Sequence, residues 1–190
     1  EKMMKDHPEK DRLLKTSISK DNIEQINSIS KKIGIEWYCT PMYEEAIDFL
    51  DPFVNRYKIR YGDSLDLHNK INSKLISKVL ETGKQTIISS QKSPKNLQNY
   101  DNVKWLYVVP KYPCPIDELD FSHLSDFDGY SNHCLDYLAP LSAVILGAKM
   151  IEIHVTSDKN KNFVDNSVSF NPEEVSTLVN LIRRSQKLQR

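Results

Sequence analysis

Two histidines, His133 and His154, stand at the ends of short β-like runs and are the residues of this sequence best suited to bind a metal. The runs cover residues 127–131 and 149–153, and an apolar segment of helical length lies between them. Right-handed crossover in such a strand–helix–strand unit places both strand ends at one edge of a parallel sheet. Neutral imidazole is the commonest metal ligand in proteins. The spacing predicts a shared cation site, with a hydrogen-bonded structural role for each histidine as the alternative.

Other polar residues stand at or just past the ends of the remaining predicted strands. Ammonium and hydroxyl groups donate hydrogen bonds to anionic oxygens, so the set indicates a phosphate or carboxylate ligand beside the cation. The competing interpretation is that polar residues collect in any loop. The set comprises Thr40, Lys58, Asp63, Ser89, Ser90, Lys111, Tyr112, Ser131 and Thr156.

Two charged residues call for separate interpretations. Lys58 lies inside a predicted strand between Tyr57 and Ile59, and a buried lysine is rare unless it is paired. It faces either a barrel interior or a strand end, or it protects an edge strand. Asp165 lies in a polar loop over residues 159–169. Such loops often cover a site and contact a substrate, although a solvated carboxylate is the simpler alternative.

A parallel sheet is needed to bring these residues together. Strands alternate with helices from residue 35 onward, which predicts βαβ units. A complete eight-stranded barrel needs about 250 residues, so we expect an α/β fold, namely an incomplete TIM-type (β/α)8 barrel with strands 3–8 present and the first two missing. The predicted strands are 35–40, 56–61, 85–90, 104–109, 127–131 and 149–153, and the predicted helices are 23–33, 42–53, 72–81 and 172–187.

The domain organisation follows from charge and periodicity. Residues 1–18 are charged with little apolar periodicity, and we expect a loop or mobile lead-in there. Residues 19–190 form the partial barrel. The first helix has a Ser19 cap and isoleucines at helical spacing, and Gly34 ends it.

Composition excludes several classes of protein. Lysine plus arginine and aspartate plus glutamate both number 26, so there is no net field to attract nucleic acid or an anionic membrane. The three cysteines form no CxxC pair, which favours free thiols in a reducing, cytoplasmic compartment. No apolar run approaches the roughly 18 residues of a spanning helix.

Several motifs from Trp37 to the C-terminus together resemble the sialic acid (N-acetylneuraminate) synthase family, which includes legionaminic, pseudaminic and spore-coat polysaccharide synthases. They are Cys39-Thr40-Pro41, Tyr57-Lys58-Ile59 with Gly62-Asp63, Tyr112-Pro113-Cys114-Pro115, Gly129-Tyr130-Ser131-Asn132-His133, Gly147 to His154, and Asp165 with Ser169 to Glu174. The resemblance implies a barrel enzyme that acts as a homodimer. We do not expect the family's C-terminal antifreeze-like domain among these residues. The enzyme would condense phosphoenolpyruvate with an N-acetylated sugar such as N-acetylmannosamine.

The resemblance also implies roles for individual residues. His133 and His154 would hold Mn²⁺ or Mg²⁺, which polarises the sugar aldehyde. Phosphoenolpyruvate would contact five residues and the sugar two, with Asp63, Tyr112 and Asp165 as the catalytic residues. The phosphoenolpyruvate contacts are Thr40, Lys58, Ser89, Tyr112 and Ser131, and the sugar contacts are Asp63 and Asp165.

The sequence also departs from the family. Neither the strand with the family's catalytic glutamate nor the strand with its phosphate-binding lysine is found. Arg60-Tyr61 replaces Ala-Ser, Gln91-Lys92 replaces Gly-Met, Pro110 replaces a polar residue and Asn132 replaces aspartate. Cations at positions 60, 92 and 111 could rebuild an anion site of a different shape. The alternative function is a catalytically silent barrel that binds a sugar or a phosphorylated ligand.

Overall fold

Six parallel strands form one sheet in a computed structural model that describes residue 11 and residues 17–188. Each strand pairs with the next one along the chain, which is the arrangement of a βαβ barrel wall. The α/β class and the incomplete barrel are thereby confirmed. The strands are β1 (Arg56–Ile59), β2 (Gln85–Ser90), β3 (Val103–Val108), β4 (Gly129–Asn132), β5 (Met150–Val155) and β6 (Ser169–Phe170).

Six α-helices of four residues or more accompany these strands between residues 17 and 188. The predicted first helix is confirmed, because the Ser19 side chain accepts a hydrogen bond from the Asn22 N–H and Gly34 ends the helix in the left-handed conformation. The expected lead-in over residues 1–18 lies almost entirely outside the described residues. The helices are α1 (Lys20–Ile33), α2 (Glu44–Leu50), α3 (Tyr61–His68), α4 (Lys74–Glu81), α5 (Leu138–Ile145) and α6 (Pro172–Gln186).

None of the helices in the described part of the chain is long and apolar enough to cross a bilayer. The apolar faces instead form two buried clusters. The first joins α1, α2 and α4 to β1 and β2 through residues such as Ile23, Ile47 and Val79. The second packs α5 and the loops after β3 against β4, with Tyr130 and Ala143 at its centre. Burial of each large side chain contributes about 1.5–3 kcal/mol, so the two clusters fix the strands that carry the polar residues.

Three elements differ from the sequence-based predictions. The predicted strand at 35–40 is wrong, since this stretch makes only one bridge, from Cys39 to Tyr57. It lies beside the edge of β1, its Ile35 and Tyr38 are exposed, and Pro41 has no N–H to donate. Helix α3 was not predicted because its sequence is polar and lacks an apolar period. Strand β6 escaped prediction because it has only two residues.

A close approach of two backbones joins β4 to β5. A Cβ atom built at Gly129 would lie 2.1 Å from the Met150 carbonyl oxygen. Glycine therefore lets these two strands pair in register, with Ser131 opposite Glu152 and Asn132 opposite Ile153. This pairing brings the two histidine-bearing segments side by side.

Candidate active site

The carboxyl ends of β1 to β5 open onto a cavity of about 420 Å³. It has walls from both the strands and the loops that follow them. Seven residues predicted from the sequence line it, so the topology brings most of the predicted site together. The cavity is lined by Tyr38, Thr40, Lys58, Arg60, Tyr61, Ser89, Val108, Tyr112, Ser131, His133, Glu152, Ile153 and His154.

One wall holds what we call the ionic cluster, formed by Lys58, Ser89, Ser131 and Glu152. The Lys58 ammonium donates to Ser89 Oγ at 2.7 Å and lies 3.1 Å from Glu152 Oε1. The Ser131 hydroxyl donates to the same Glu152 oxygen at 2.6 Å. Lys58 is only 8% exposed, and the pairing with Glu152 explains how it is tolerated there. Of the positions that the sequence left open for Lys58, the structure has the interior one.

His133 follows β4 directly and is held by its neighbours on both sides. Asn132 closes the turn, because its Nδ2 donates to the Cys134 carbonyl at 2.7 Å. The Cys114 N–H donates to the His133 carbonyl at 2.9 Å. His133 Nδ1 lies 2.9 Å from the Val109 carbonyl oxygen. Since a carbonyl only accepts, this contact assigns the proton to Nδ1 and leaves the Nε2 lone pair free.

Electrostatics keep the His133 ring neutral at pH 7. Burial lowers its pKa below the usual 6.5, and the neighbouring His154 acts in the same direction. The hydrogen bond to Val109 opposes this shift. A neutral imidazole with a free nitrogen can act as a metal ligand or as a hydrogen-bond acceptor.

A second group of side chains, which we call the ring cluster, comprises Tyr112, His133 and His154. The ring centroids of Tyr112 and His133 lie 3.9 Å apart, and those of the two histidines lie 5.3 Å apart. Tyr112 meets His154 edge-on at 5.7 Å. Burial raises the pKa of Tyr112 to about 12, with smaller contributions from Asp165 and Glu152. Its hydroxyl therefore stays protonated and can donate to a ligand.

Asp165 approaches the ring cluster from outside the cavity wall. Its Oδ2 lies 3.7 Å from His154 Nδ1, and its backbone has the left-handed φ of 60°. The Ser169 hydroxyl donates to the Asp165 carbonyl at 2.8 Å, and the Val168 N–H donates to it at 3.0 Å. The loop thus places a carboxylate beside the more exposed of the two histidines.

The two imidazoles are a partial fit for the expected Mn²⁺ or Mg²⁺. The described residues include no group of three histidine, cysteine, aspartate or glutamate side chains that could hold a metal. The donor set is therefore His133 and His154, and further ligands would come from substrate or water. A metal at this site remains a prediction from the sequence.

Some predicted residues lie elsewhere. Asp63 is paired with Arg60, whose Nε lies 2.7 Å from its Oδ2, and it does not line the cavity. Lys111 pairs with Glu118, away from the cavity. Ser90 faces the opposite side of β2 from Ser89, because side chains alternate along a strand. The roles assigned to Asp63 and Asp165 stay predictions.

Sequence reasoning missed other residues of the site. Glu152 was quoted only as part of a motif, yet it lies two residues before His154 in one strand. The period of two places both on the same face, so this signal could have found it. Tyr38 and Tyr61 gave no such signal, because Tyr38 lies inside the wrongly predicted strand and Tyr61 begins helix α3, which was not predicted.

The comparison with known families covers the entire chain, since residues 1–190 match the NeuB family. The chain belongs to the NeuB family. The resemblance to sialic acid synthases stated from the motifs is therefore confirmed.

Relatives of the chain include named synthases of nonulosonic acids. The chain is 30% identical to N,N'-diacetyllegionaminic acid synthase of Campylobacter jejuni over 83% of its own length and 52% of the relative's. It is 27% identical to N-acetylneuraminate-9-phosphate synthase of Homo sapiens over 87% of its length and 49% of the relative's. The chain thus spans about half the length of the curated relatives it matches.

Solved structures share the fold. The sialic acid synthetase of Leptospira borgpetersenii superposes with a TM-score of 0.80 at 23% identity, covering 99% of this chain and 70% of that one. The DAHP synthase of Thermotoga maritima gives a TM-score of 0.66 at 13% identity, covering 89% of this chain and 56% of that one. At these identities the likeness concerns the barrel fold alone.

Proposed function

We propose that the protein containing this chain condenses phosphoenolpyruvate with an N-acetylated sugar, N-acetylmannosamine or a relative of it, to give a nonulosonic acid and phosphate. One observation carries the proposal. The donors Lys58, Ser89 and Ser131 converge beside the imidazoles of His133 and His154 in one cavity. The family's named synthases supply the reaction class.

Phosphoenolpyruvate binds to the ionic cluster in this proposal. An ammonium and two hydroxyls are the groups that satisfy carboxylate and phosphate oxygens, and Thr40 lines the cavity next to them. Glu152 engages the same ammonium and one of the hydroxyls. An arriving anion therefore has to share or replace the Glu152 contacts, and this competition weakens its affinity.

The sugar lies toward the ring cluster. The Tyr112 hydroxyl donates to phosphoenolpyruvate, and Asp165, whose Oδ2 lies 3.7 Å from His154 Nδ1, faces the sugar. A divalent Mn²⁺ or Mg²⁺ held by the two histidines would act as a Lewis acid on the sugar aldehyde. In the reaction C3 of phosphoenolpyruvate forms the new bond to the aldehyde carbon, water adds at C2 and phosphate departs. The protein's own contribution is orientation and charge neutralisation.

Compartment and assembly belong to the same proposal. All three cysteines are free thiols in the structure, which suits a cytoplasmic enzyme. The motif resemblance favours a homodimer. Sedimentation of the full-length protein tests that assignment.

Isothermal titration of the full-length protein with Mn²⁺ and then phosphoenolpyruvate tests the site. We expect His133→Ala and His154→Ala each to abolish Mn²⁺ binding and product formation. His123→Ala is the matched control, because His123 is exposed and does not line the cavity. Unchanged binding in both site variants would reject the proposal.

A catalytically silent binding barrel is the second candidate. It is favoured by the ionic cluster, whose lysine is already neutralised by Glu152, and by the two-histidine donor set. Mass spectrometry of a reaction mixture separates the two candidates. Binding of phosphoenolpyruvate without any nonulosonic acid or released phosphate would support the silent barrel.

A further inference from the structure

The side chain of Asn166 ties together the loop that follows β5. Its Nδ2 lies 3.1 Å from the Asp158 carbonyl oxygen, 3.1 Å from that of Lys159 and 2.6 Å from that of Lys161. Because carbonyl oxygens only accept hydrogen bonds, these contacts assign the NH2 group to this side of the amide and Oδ1 to the other. One amide group therefore binds three backbone positions of the loop.

The residue before this asparagine, Asp165, has an uncommon backbone conformation. Its φ of 60° is left-handed, and a residue other than glycine keeps such a conformation where its surroundings impose it. The Asp165 carbonyl accepts a hydrogen bond from the Ser169 hydroxyl, which fixes the chain after it. The chain before it is fixed by the contacts of Asn166 with residues 158–161. Between these two constraints the carboxylate lies beside His154, with Oδ2 3.7 Å from Nδ1.

The loop depends on polar contacts because burial does not hold it. Every residue from 159 to 165 is exposed, so no apolar side chain of this stretch anchors it in the core. An ion pair between Lys159 and Glu174 attaches the start of the loop to α6. Asn166 Oδ1 is buried without a hydrogen-bond partner in the described part of the chain. The contribution of this side chain therefore comes from its donors.

We propose that Asn166 is a positioning residue whose amide shapes the loop so that Asp165 faces the acceptor sugar beside His154. This inference rests on the proposed function, in which Asp165 contacts the sugar. Asn166 does not line the cavity, so it acts through Asp165. Loss of the amide frees the loop and removes the contact of Asp165 with the acceptor. Phosphoenolpyruvate, which binds to the ionic cluster, keeps its own contacts.

Trypsin tests the hydrogen bonds of Asn166 without any substrate. The protease cuts the peptide bond that follows a lysine, and the carbonyls of Lys159 and Lys161 are two of the three that Asn166 binds. A folded loop is cut when it opens locally. In the full-length protein we expect Asn166→Ala to accelerate cleavage after both lysines at least about tenfold, the size of one or two lost hydrogen bonds.

Two further variants sharpen the proteolysis experiment. Asn166→Asp keeps the shape of the side chain but replaces its donors with an acceptor, so it should accelerate cleavage as much as Asn166→Ala does. Asn162→Ala is the control, because Asn162 is an exposed asparagine of the same loop, and it should leave the rate unchanged. Mass spectrometry of the fragments measures each cleavage separately, and circular dichroism checks that the variants are folded.

Kinetics test whether the loop acts through Asp165. We expect Asn166→Ala to raise the KM for N-acetylmannosamine at least about tenfold, the loss of one charge-assisted hydrogen bond, and to leave the KM for phosphoenolpyruvate unchanged. Asp165→Ala should have the same effect. The double variant should be no worse than Asp165→Ala alone, since both substitutions remove one contact.

Three results would overturn the inference. The first is a cleavage rate that Asn166→Ala leaves unchanged, and the second is an additive effect of the two substitutions on kcat/KM. The third is a KM for phosphoenolpyruvate that rises as much as the KM for the sugar. Failure of the proposed function differs from these, because the unmodified protein then forms no nonulosonic acid. Titration with N-acetylmannosamine decides in that case. Binding that weakens in Asn166→Ala retains the positioning role, and binding that is absent or unchanged rejects it.

Discussion

The ionic cluster and the ring cluster face one cavity but are held in different ways. The ionic cluster takes one residue from each of β1, β2, β4 and β5, and its members contact one another at 2.6–3.1 Å. The ring cluster draws Tyr112 and His133 from loops, and its carboxylate, Asp165, lies 3.7 Å from His154. The first is satisfied within the protein, whereas the second leaves ring atoms for a ligand. Strand register thus builds the part of the site that also stabilises the sheet.

The seam between β4 and β5 supports both clusters, so damage there should have the largest effect. Gly129→Ala forces a Cβ against the Met150 backbone, which cannot move without shifting β5. We expect a loss of at least about 3 kcal/mol in the free energy of unfolding, measured by urea denaturation. Gly62→Ala is the control, because its Cβ meets nothing within 4 Å, and it should be neutral or stabilising by up to about 1 kcal/mol. Equal stability of the two variants would contradict the close approach.

Removing the cation of the ionic cluster tests whether that cluster is structural. Lys58→Met leaves Glu152 without its ion-pair partner in a mostly buried place, and we expect a loss of about 2–3 kcal/mol in unfolding free energy. The double variant Lys58→Met/Glu152→Gln removes the stranded charge and should regain more than half of that loss. A double-mutant cycle measures the coupling, and additive effects would show that the two groups do not interact.

The ring cluster should be less important for stability. His133 is 4% exposed and bonded to Val109, so His133→Ala should cost about 1–2 kcal/mol through a lost hydrogen bond and a small cavity. The more exposed His154→Ala should cost less than about 1 kcal/mol. Thermal denaturation of both variants checks which of them loses more stability. The reverse order would mean that the loop holding Asp165 depends on His154.

A change at His68, a histidine outside both clusters, should have the smallest effect on the free energy of unfolding. His68 lies on the outer face, with Nε2 2.8 Å from Ser90 Oγ, and burial, aided by Lys92, lowers its pKa below 6.5. The unfolded chain binds this proton more readily, so the contribution to stability is complete above about pH 6.5 and is lost as the pH falls toward the folded pKa. His68→Gln should flatten the decline in unfolding free energy between pH 7 and 5 by less than about 1 kcal/mol. If the unfolding free energy of His68→Gln falls as steeply as that of the unmodified protein, other groups cause the decline.

Much of the arrangement of the ionic cluster and the ring cluster was predictable from residue types. Strands β1 to β5 and the convergence of Lys58, Ser89, Ser131 and the two histidines follow from apolar periods and parallel topology. The pairings did not follow, because which carboxylate meets which cation depends on register and side-chain length. Asp63 was expected at the sugar, but the nearby Arg60 engages it across one turn of an unpredicted helix. Glu152 was overlooked because its partner is distant in sequence.

The placement of Glu152 has a consequence for ligand exchange. The Glu152 carboxylate lies against Lys58 and Ser131, so it already makes the contacts that the proposed anion would make. Phosphoenolpyruvate then replaces the Glu152 carboxylate at the Lys58 ammonium. The net binding energy is the difference between these two similar contacts. Rapid release of the anion, rather than tight retention, is the behaviour such a swap favours.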